Sequence, residues 1–592
     1  MFKKYLQYFS DQTKRPQQIT AVLVIVVVAA IGTYLLTGSR AATPYANLNA
    51  ANGRLGGNAQ QVQNCSGANS GSCVTFGCGG TANSITVCPG ASHSLSSDFL
   101  GYNGDVPTGQ LSNPALLPAV KALNPETIRG IDAGTQTNYF NWQTGQYFID
   151  SSHVSWIVPG NPNPPFTLSD YANLLGTNNA NAVFNLNIMT YCPVDNANPA
   201  STSQAGASCT PAQACGPNPS AYTTSCTSSS TDPTWGLNFQ IAMLQKAQSM
   251  GISVKYIELG NELYDTSNAD FVYYFPSVQD YINRVNAWIP VLKQDFPQAK
   301  IAIVGAQGNI CQHAPGQSPN TGEPAWDQAL FSGVHGEDAV VFHTYYTSNI
   351  LSGGSVNNAQ DLATLLSTAT QDCISGVQNY RLNLLPNGVT AWITEWNLWI
   401  DQGVLEQGSW AQGLTEASYA LDLANQPKVE LINNHDLVSN QIWGSLFVNS
   451  GAFLTSVQNQ TIDTPTPVPT TQQFGMTSAG FTLSALERSL HGATNTTPLS
   501  FSSNPNIANT SVPGLMGQSF IVNGKTNLYF VNLSPTSENI NLGNLSGNYS
   551  VLQYASSPTN FVTGNSSISP TTSTATNTVT VPGYSVTSLV SP

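Results

Sequence analysis

The stretch Leu237-Asn-Phe-Gln-Ile-Ala-Met-Leu-Gln-Lys-Ala-Gln-Ser-Met-Gly-Ile-Ser-Val-Lys-Tyr-Ile-Glu-Leu259 contains the structural unit that the rest of the chain repeats. Up to Met250 its apolar residues are spaced as in an amphipathic helix, and Val254 to Leu259 is a short apolar run typical of a buried strand. A helix that leads directly into such a strand is the repeating half of a parallel β/α architecture.

The same alternation extends outward in both directions from about His93. Further helical patterns at Val278 to Gln294 and Gly413 to Asn425 each end shortly before a strand. Eight strands are predicted: Asp98 to Tyr102, Thr127 to Ile131, Ala182 to Asn187, Val254 to Leu259, Lys300 to Val304, Ala339 to His343, Thr390 to Thr394 and Val429 to Asn433. This pattern predicts a (β/α)8 TIM barrel over residues 93–491. The alternative, an open doubly wound sheet, is disfavoured because no Gly-rich phosphate turn opens a helix.

Beyond Gly492, strand patterns replace the helices. Asn523-Gly524 separates two strand-like runs, and such a pair is a strong hairpin signal because both central residues must take positive φ. We therefore predict a β-sandwich domain over residues 492–592.

The composition of the 592 residues indicates an extracellular protein. Charged residues make up only 8% of the chain, and 31 acidic groups against 17 basic ones give a net charge of −14. Phosphate backbones should be repelled, so nucleic acid is excluded as a partner.

The N-terminal region predicts a membrane partner. Residues 19–36 form an uncharged apolar run that is just long enough to span a bilayer, and the basic residues before it favour a cytoplasmic location for residues 1–18. Everything after the run would then lie on the extracellular face of the membrane. The alternative is a signal segment that is cleaved near Arg40-Ala41-Ala42, which would make the protein secreted.

Ten cysteines in an oxidising compartment predict disulfide bonds. A zinc site is the rival interpretation, but the sequence has no pair of CxxC knuckles and no HExxH motif. Residues 37–92 are rich in Cys and Gly and predict a segment of short strands and loops. The pairing stays open within three sequence clusters: Cys65, Cys73, Cys78 and Cys88; Cys192, Cys209, Cys215 and Cys226; Cys311 and Cys373.

Two of the 11 glutamates stand directly after predicted strands: Glu262 after the fourth and Glu395 after the seventh. In a TIM barrel the C-terminal ends of all strands meet at one face, where active sites are built. The two carboxylates should therefore converge although they are far apart in sequence.

A carboxylate pair is what cleavage of a glycosidic bond requires. One carboxyl group protonates the leaving oxygen, and the other attacks or stabilises the anomeric carbon. The second must stay ionised beside a positive neighbour, and Arg129 at the end of the second strand is the candidate for that neighbour. The alternative role for Arg129 is a purely structural ion pair.

The motifs Gly260-Asn261-Glu262 and Thr394-Glu395-Trp396-Asn397, at the fourth and seventh strands, resemble those of clan A retaining glycoside hydrolases. This resemblance implies that Glu262 is the general acid and base, that Glu395 is the nucleophile and that Asn261 donates to the sugar 2-hydroxyl. Val341-Phe-His343-Thr-Tyr345 is similar to the His-x-Tyr element of α-L-arabinofuranosidases and heparanase-like β-glucuronidases. The further residues expected to bind substrate are Arg129, His343, Tyr345, Asn187, Trp396 and His435.

The function expected from the resemblance is double displacement on a polysaccharide or oligosaccharide, with no metal or cofactor. An α-L-arabinofuranosidase is the favoured class, and a heparanase-like β-glucuronidase is the alternative within the clan. An inactive carbohydrate-binding or adhesion protein is the alternative of another class. Transglycosylation also remains open, because a sugar can intercept the covalent intermediate in place of water.

Overall fold

The computed structural model describes residues 59–63, 72–76, 85–105, 111–147, 164–189, 234, 236–265, 271, 274–306, 323–347, 358–368, 373–399, 408–439, 444–448, 474–562, 564 and 568–592. The chain divides into two units, Met1–Gly79 and Gly80–Pro592. In the first unit the strands β1 (Ala59–Gln63) and β2 (Ser72–Phe76) form an antiparallel pair.

The second unit contains a closed barrel of eight parallel strands. The barrel strands are β5 (Leu100–Asn103), β6 (Thr127–Gly130), β9 (Asn181–Leu186), β10 (Tyr256–Leu259), β11 (Lys300–Val304), β12 (Ala339–Thr347), β13 (Thr390–Trp399) and β14 (Val429–Asn434). Two short strands precede the barrel, β3 (Ile85–Pro89) and β4 (His93–Ser94), and two form a hairpin within a loop, β7 (Phe140–Asn141) and β8 (Gln146–Tyr147). The barrel runs β5, β6, β9 to β14 and closes from β14 to β5. All eight predicted strands are barrel strands, and the predicted barrel is confirmed.

Helices connect the barrel strands on the outside. They are α1 (Leu117–Leu123), α2 (Leu168–Asn178), α3 (Leu237–Ser249), α4 (Val278–Asp295), α5 (Glu323–Gly333), α6 (Ala359–Thr368), α7 (Ile374–Val377), α8 (Trp410–Ala424) and α9 (Ser478–Leu490), with 3-10 turns at Pro114–Leu116, Thr135–Tyr139 and Gly543–Leu545 and a π turn at Gln378–Leu382. Capping residues set several helix starts: Thr167 and Asp170 form a capping box at α2, as Ser277 and Asp280 do at α4.

A register shift in β13 decides which side chains face the barrel mouth. Val341 pairs with Trp392, but His343 pairs with Glu395, so β13 carries one residue more than β12 over this stretch. A bulge of this kind re-aims the residues that follow it. The extra residue lets Thr394 and Glu395 both turn inward, and it turns Trp396 outward.

The remaining strands form two sheets, a small one and a larger sandwich-like one. They are β15 (Val438–Ser439), β16 (Leu446–Val448) and β17 (Phe474–Met476), which make a small separate sheet, and then β18 (Ala493–Phe501), β19 (Leu515–Val522), β20 (Lys525–Asn532), β21 (Glu538–Asn541), β22 (Tyr549–Ala555), β23 (Thr571–Ala575), β24 (Thr578–Val581) and β25 (Ser585–Val590). The predicted Asn523-Gly524 turn joins β19 to β20, and both of its residues have positive φ.

The C-terminal sheet also takes in two strands from before the barrel. β3 and β4 pair with β18, and β3 also pairs with β21. The boundaries predicted at residues 92 and 93 therefore divide a segment that the sheet holds together. A core that includes Val87, Phe530, Ile540 and Leu589 lies between the folded-over parts of this sheet.

Cys88 and Cys373 each take part in a disulfide bond, in line with the predicted disulfides. None of the helices in the described part of the chain is long and apolar enough to cross a membrane. The apolar run predicted at residues 19–36 lies outside the described residues, as do the cytoplasmic segment 1–18 and the Cys192 cluster.

Candidate active site

Glu262 stands just beyond β10 in a strained backbone turn. Gly260 has a φ of 90° and Glu262 itself has a φ of 49°, a left-handed conformation that a residue with a side chain rarely adopts. A Cβ at position 260 would lie 2.7 Å from a methyl carbon of Ile188, so the turn requires glycine there. The Glu262 side chain is 20% exposed, and its Oε1 is 2.7 Å from Nδ1 of His343 and accepts from the Tyr264 hydroxyl at 3.2 Å.

Glu395 lies on β13 and is almost fully buried, with 4% of its side chain exposed. Its Oε1 accepts from Nη1 of Arg129 at 2.8 Å, and its Oε2 accepts from the Tyr345 hydroxyl at 2.6 Å. His343 and His435 approach the same Oε2, with Nδ1 atoms at 3.4 Å and 3.5 Å.

The two predicted catalytic carboxylates face each other. One oxygen of Glu262, one oxygen of Glu395 and a ring nitrogen of His343 lie within 4.8 Å of one another. The two glutamates are 133 positions apart in sequence, and the barrel brings them together because the ends of β10 and β13 share one rim.

Arg129 is fully buried inside the barrel and donates hydrogen bonds to several side chains of the site. Besides Glu395 it binds both oxygens of Glu258, each at 2.7 Å, and donates to Oδ1 of Asn261 at 2.6 Å and of Asn103 at 3.1 Å. Both roles considered for Arg129 are thus realised at once, since it pairs structurally with Glu258 and electrostatically with Glu395. Burial works against its charge, but Glu258 and Glu395 outweigh it and raise the pKa of the guanidinium.

The surroundings of Glu395 keep it ionised. Burial by itself raises the pKa of the carboxyl group, but the positive charges of His343, His435 and Arg129 and the Tyr345 hydrogen bond outweigh it and lower the pKa to about 2. Glu262 is more exposed, and its Oε1 contacts His343 and Tyr264. The two carboxylates therefore sit in different electrostatic environments.

A hydrogen-bonded chain leads from Glu395 to Asp105. The Tyr345 hydroxyl bridges Glu395 and Nδ1 of His435, and Nε2 of His435 is 2.9 Å from Oδ2 of Asp105. Burial by itself lowers the pKa of His435, but the negative charges of Asp105 and Glu395 outweigh burial and raise the pKa to about 9. His435 is therefore an imidazolium at neutral pH, so its Nδ1 donates to Tyr345 and leaves the tyrosine proton for Glu395.

Two side-chain amides present donors that no described residue uses. Arg129 occupies the oxygens of Asn261 and Asn103, and the Nδ2 atom of each has no hydrogen-bond partner in the described part of the chain. Both residues are completely buried. Such donors are what a bound hydroxylated ligand would satisfy.

The structure corrects the prediction for Trp396. Strict alternation from the inward-facing Trp392 would point Trp396 into the barrel, but the extra residue in β13 turns it to the outer face. There its fully buried ring packs against Tyr419 of α8, with ring centroids 5.9 Å apart. Trp396 is therefore a core residue and does not line the site.

Asn187 lies beside the site and lines a separate small cavity. This cavity of about 10 Å³ is also lined by Asp132, Asn185 and Gln240. A cavity of this size holds about one water molecule. The roles predicted for Arg129, Asn261, His343, Tyr345 and His435 are consistent with their contacts to the two glutamates.

Sequence reasoning missed four contributors to the site: Asp105, Asn103, Glu258 and Tyr264. Glu258 stands at an inward-facing position of a predicted strand, and Asn103 directly follows the predicted strand Asp98 to Tyr102, so alternation could have found both. Nothing local marks Asp105, because its partner His435 is 330 positions away.

Three sets of side chains in the described residues offer ligand atoms close enough to hold a metal ion: Glu262, His343 and Glu395; Asp105, His435 and Asp436; Glu126, Glu487 and His491. The first two sets belong to the hydrogen-bonded cluster at the barrel mouth. A buried ionised carboxylate facing a more exposed one, with free amide donors beside them, is an arrangement suited to acid and nucleophile chemistry on a hydroxylated substrate.

The architecture, a TIM barrel with an accessory β domain, is shared with solved structures. The chain resembles the GH51 arabinofuranosidase from Xanthomonas axonopodis pv. citri (TM-score 0.58, 14% identity, 86% of this chain and 99% of that one). It also resembles the α-L-arabinofuranosidase from Thermotoga maritima (TM-score 0.56, 13% identity, 86% and 99%). A third similar structure is the 4-O-α-L-rhamnosyl-β-D-glucuronidase from Fusarium oxysporum 12S (TM-score 0.50, 16% identity, 86% and 100%).

These likenesses establish the fold. No protein-family model and no curated protein sequence matches the chain. The predicted resemblance to arabinofuranosidases and to a glucuronidase is therefore confirmed at the level of architecture, across nearly the whole length of those proteins.

Proposed function

We propose that this chain is a retaining glycoside hydrolase in which Glu395 is the nucleophile and Glu262 is the general acid and base. The observation that carries the proposal is the approach of the two carboxylates to within 4.8 Å at the barrel mouth. Retaining enzymes hold their carboxyl groups about 5–5.5 Å apart, whereas inverting enzymes leave about 6.5–9.5 Å for a water molecule.

In the first step Glu395 attacks the anomeric carbon. Its pKa of about 2 keeps it ionised, and hydrogen bonds from Arg129 and Tyr345 orient its two oxygens. Glu262, the more exposed carboxyl group, gives a proton to the leaving oxygen as the glycosidic bond breaks. The sugar is then held as a covalent ester of Glu395.

In the second step Glu262 has lost its proton and acts as a base. It removes a proton from a water molecule, the water oxygen attacks the anomeric carbon, and the ester bond to Glu395 breaks. Two inversions give net retention of configuration. His343, within hydrogen-bond distance of Glu262, is positioned to orient the carboxyl group in both steps.

The unpaired donors support a sugar ligand over a purely structural cluster. Nδ2 of Asn261 is held in place by the Arg129 hydrogen bond to the other end of the same amide. A hydroxyl group next to the anomeric carbon would satisfy this donor, and such hydrogen bonds strengthen in the transition state.

The proposed substrate is an extracellular polysaccharide or glycan, and the favoured activity is that of an α-L-arabinofuranosidase. The support for this class is the fold likeness to two arabinofuranosidases with TM-scores of 0.58 and 0.56. A β-glucuronidase is the second candidate, supported by the fold likeness to a rhamnosyl-glucuronidase with a TM-score of 0.50.

We further propose that the protein acts outside the cytoplasm. The low charged fraction of 8% and the disulfide-bonded state of Cys88 and Cys373 support an oxidising environment. The predicted membrane segment at residues 19–36 remains a prediction, and fractionation of cells that express the full chain would test it.

The function is tested with aryl glycosides of arabinofuranose, glucuronic acid and glucose, and NMR of the first-formed sugar reports its configuration. Glu395→Ala should reduce turnover to background. Glu262→Ala should spare substrates with activated leaving groups, lose about 10²–10⁴-fold on poor ones and recover with azide, because azide needs no general base.

Glu538→Ala, in the C-terminal sheet, is the matched control and should behave as wild type. Release of the inverted sugar would contradict the retaining mechanism. Ligand binding without turnover of any glycoside would favour the adhesion alternative.

A further inference from the structure

A second cluster of titratable side chains lies at the end of the barrel opposite the active site. Glu126 immediately precedes β6, and Glu487 and His491 lie at the end of α9. Each offers one ligand atom, and the three atoms lie within 4.8 Å of one another. Glu126 is 3% exposed and Glu487 is completely buried.

The side chain of Glu487 has no hydrogen bond in the described part of the chain. Neither of its carboxylate oxygens has a partner, and Nδ1 of His491 lies 3.5 Å from Oε2 without forming a hydrogen bond. Glu126, in contrast, accepts from the backbone N–H of Leu100 and of Gly492, at 3.0 Å and 2.6 Å. A buried carboxyl group without a partner is costly and calls for an explanation.

The neighbouring cation does not neutralise this pair of carboxylates. Arg488 follows Glu487 on α9, but its guanidinium donates to Ser550 and Ser588 of the C-terminal sheet. Burial raises the pKa of both Glu126 and Glu487. The cluster thus combines two desolvated acids with a single imidazole.

A proton shared between Glu126 and Glu487 does not account for the unpaired oxygens of Glu487. Two acids that share a proton are joined by a hydrogen bond, and the Glu487 carboxyl group forms none with the described residues. Ligands of a zinc ion, bound at about 2.0–2.2 Å, stand roughly 3–4 Å apart. An ion between the three groups would contact all of them.

A cleft gives access to the cluster. It has a volume of about 580 Å³, and Glu487 and His491 line it together with Asn124, Leu552 and Tyr554. His491, with 34% of its side chain exposed, is the member of the cluster that solvent in this cleft reaches, so an ion would enter and take a water ligand on the His491 side.

We propose that Glu126, Glu487 and His491 form a binding site for a divalent transition-metal ion of the zinc type. Imidazole and carboxylate ligands suit zinc, whereas calcium needs six to eight oxygen ligands, more than these side chains supply. The ion would fix the end of α9, where the chain enters β18 of the C-terminal sheet, to the base of β6. Its role is structural and independent of the glycosidase proposal.

The test uses tag-free, full-length protein that has been treated with EDTA and dialysed. Titration calorimetry with zinc chloride and elemental analysis should show one ion at this site, and zinc should raise the melting temperature. Glu487→Gln should weaken the zinc Kd by at least about 100-fold and abolish the rise in melting temperature. Glu538→Gln, in the C-terminal sheet, is the matched control and should keep both.

Three results would overturn the proposal. The first is that wild-type protein binds no zinc, and the second is that Glu487→Gln protein binds zinc as wild type does. The third is that zinc binding is lost in Glu262→Gln but kept in Glu487→Gln, a result that would assign the ion to the barrel mouth. Should Glu487→Gln fail to fold, His491→Ala carries the test, because 34% of that side chain is exposed and its removal leaves the core intact.

Discussion

The residue Glu395 shows how charges around a buried group define its chemistry. Arg129, His343 and His435 outweigh the burial of this carboxyl group and lower its pKa to about 2. One oxygen of Glu262 lies within 4.8 Å of one oxygen of Glu395, and the two carboxylates share His343 as a neighbour, while Tyr264 contacts Glu262. Different neighbours of this kind are the physical basis of the different roles proposed for the two carboxylates.

His435 predicts a specific pH dependence of stability. Its folded-state pKa of about 9 lies above the usual 6.5, so its stabilising charge is fully present below pH 6.5 and is lost as the pH rises through 9. A shift of this size corresponds to roughly 3 kcal/mol. We expect the free energy of unfolding of wild-type protein, measured with urea, to fall between pH 6.5 and 9.5 by about this amount more than that of His435→Gln.

Parallel pH profiles for the two proteins would contradict this assignment. Glu416 and Asp436, whose pKa values burial raises to about 8 and about 7, also titrate in this range. Glu416 is present in both proteins, whereas the charge of His435 lowers the pKa of Asp436, so the difference between the two profiles reports His435 together with its neighbour Asp436.

At the scale of elements, the barrel depends on close approach between neighbouring strands. Gly101 on β5 lies against β6, and a Cβ at this position would be 2.0 Å from Oγ1 and 2.3 Å from the carbonyl oxygen of Thr127. The carbonyl belongs to the backbone and cannot move aside without a shift of β6, from which Arg129 projects.

Gly101→Ala should therefore lower the free energy of unfolding by about 3 kcal/mol, because added atoms in a packed interior force the backbone apart. Gly176→Ala is the matched control on α2, where a Cβ meets nothing within 4 Å. It should raise the free energy of unfolding, by up to about 1 kcal/mol, because alanine favours a helix more than glycine does. Urea unfolding measures both, and equal effects would refute the packing argument.

At the scale of the whole second unit, the barrel and the C-terminal sheet share one core. Phe520, Tyr529 and Val531 of the sheet belong to the same buried cluster as Trp410 and Leu483 of α8 and α9. The Trp410 indole also donates to the carbonyl of Tyr584 at 2.7 Å. The sheet covers helices that would otherwise expose apolar surface to water.

A chain that ends at His491 should therefore fail to form a native barrel. We expect it to aggregate, or to keep far-ultraviolet dichroism while binding a hydrophobic dye and melting without cooperativity. A chain that begins at Ala59 keeps every described contact and should melt as cooperatively as the full chain. A cooperative, active protein after removal of the sheet would show that the barrel is independent of it.

The amino-acid sequence by itself determined the barrel, its eight strands and the two glutamates. Local periodicity of apolar residues predicts those strands and the helices between them. The position of Glu262 and Glu395 after their strands follows from chain order alone. Once the barrel is predicted, the shared rim of its strands dictates that the two carboxylates converge.

Only the tertiary structure decided the contacts that join distant residues or depend on an irregular strand. The Asp105 to His435 pair spans 330 positions. β3 and β4 join a sheet whose other strands follow the barrel, and one extra residue in β13 turned Trp396 out of the predicted pocket. Sequence periodicity reports which face of a regular element is apolar. It carries no information on long-range partners, and it fails where a bulge changes the period.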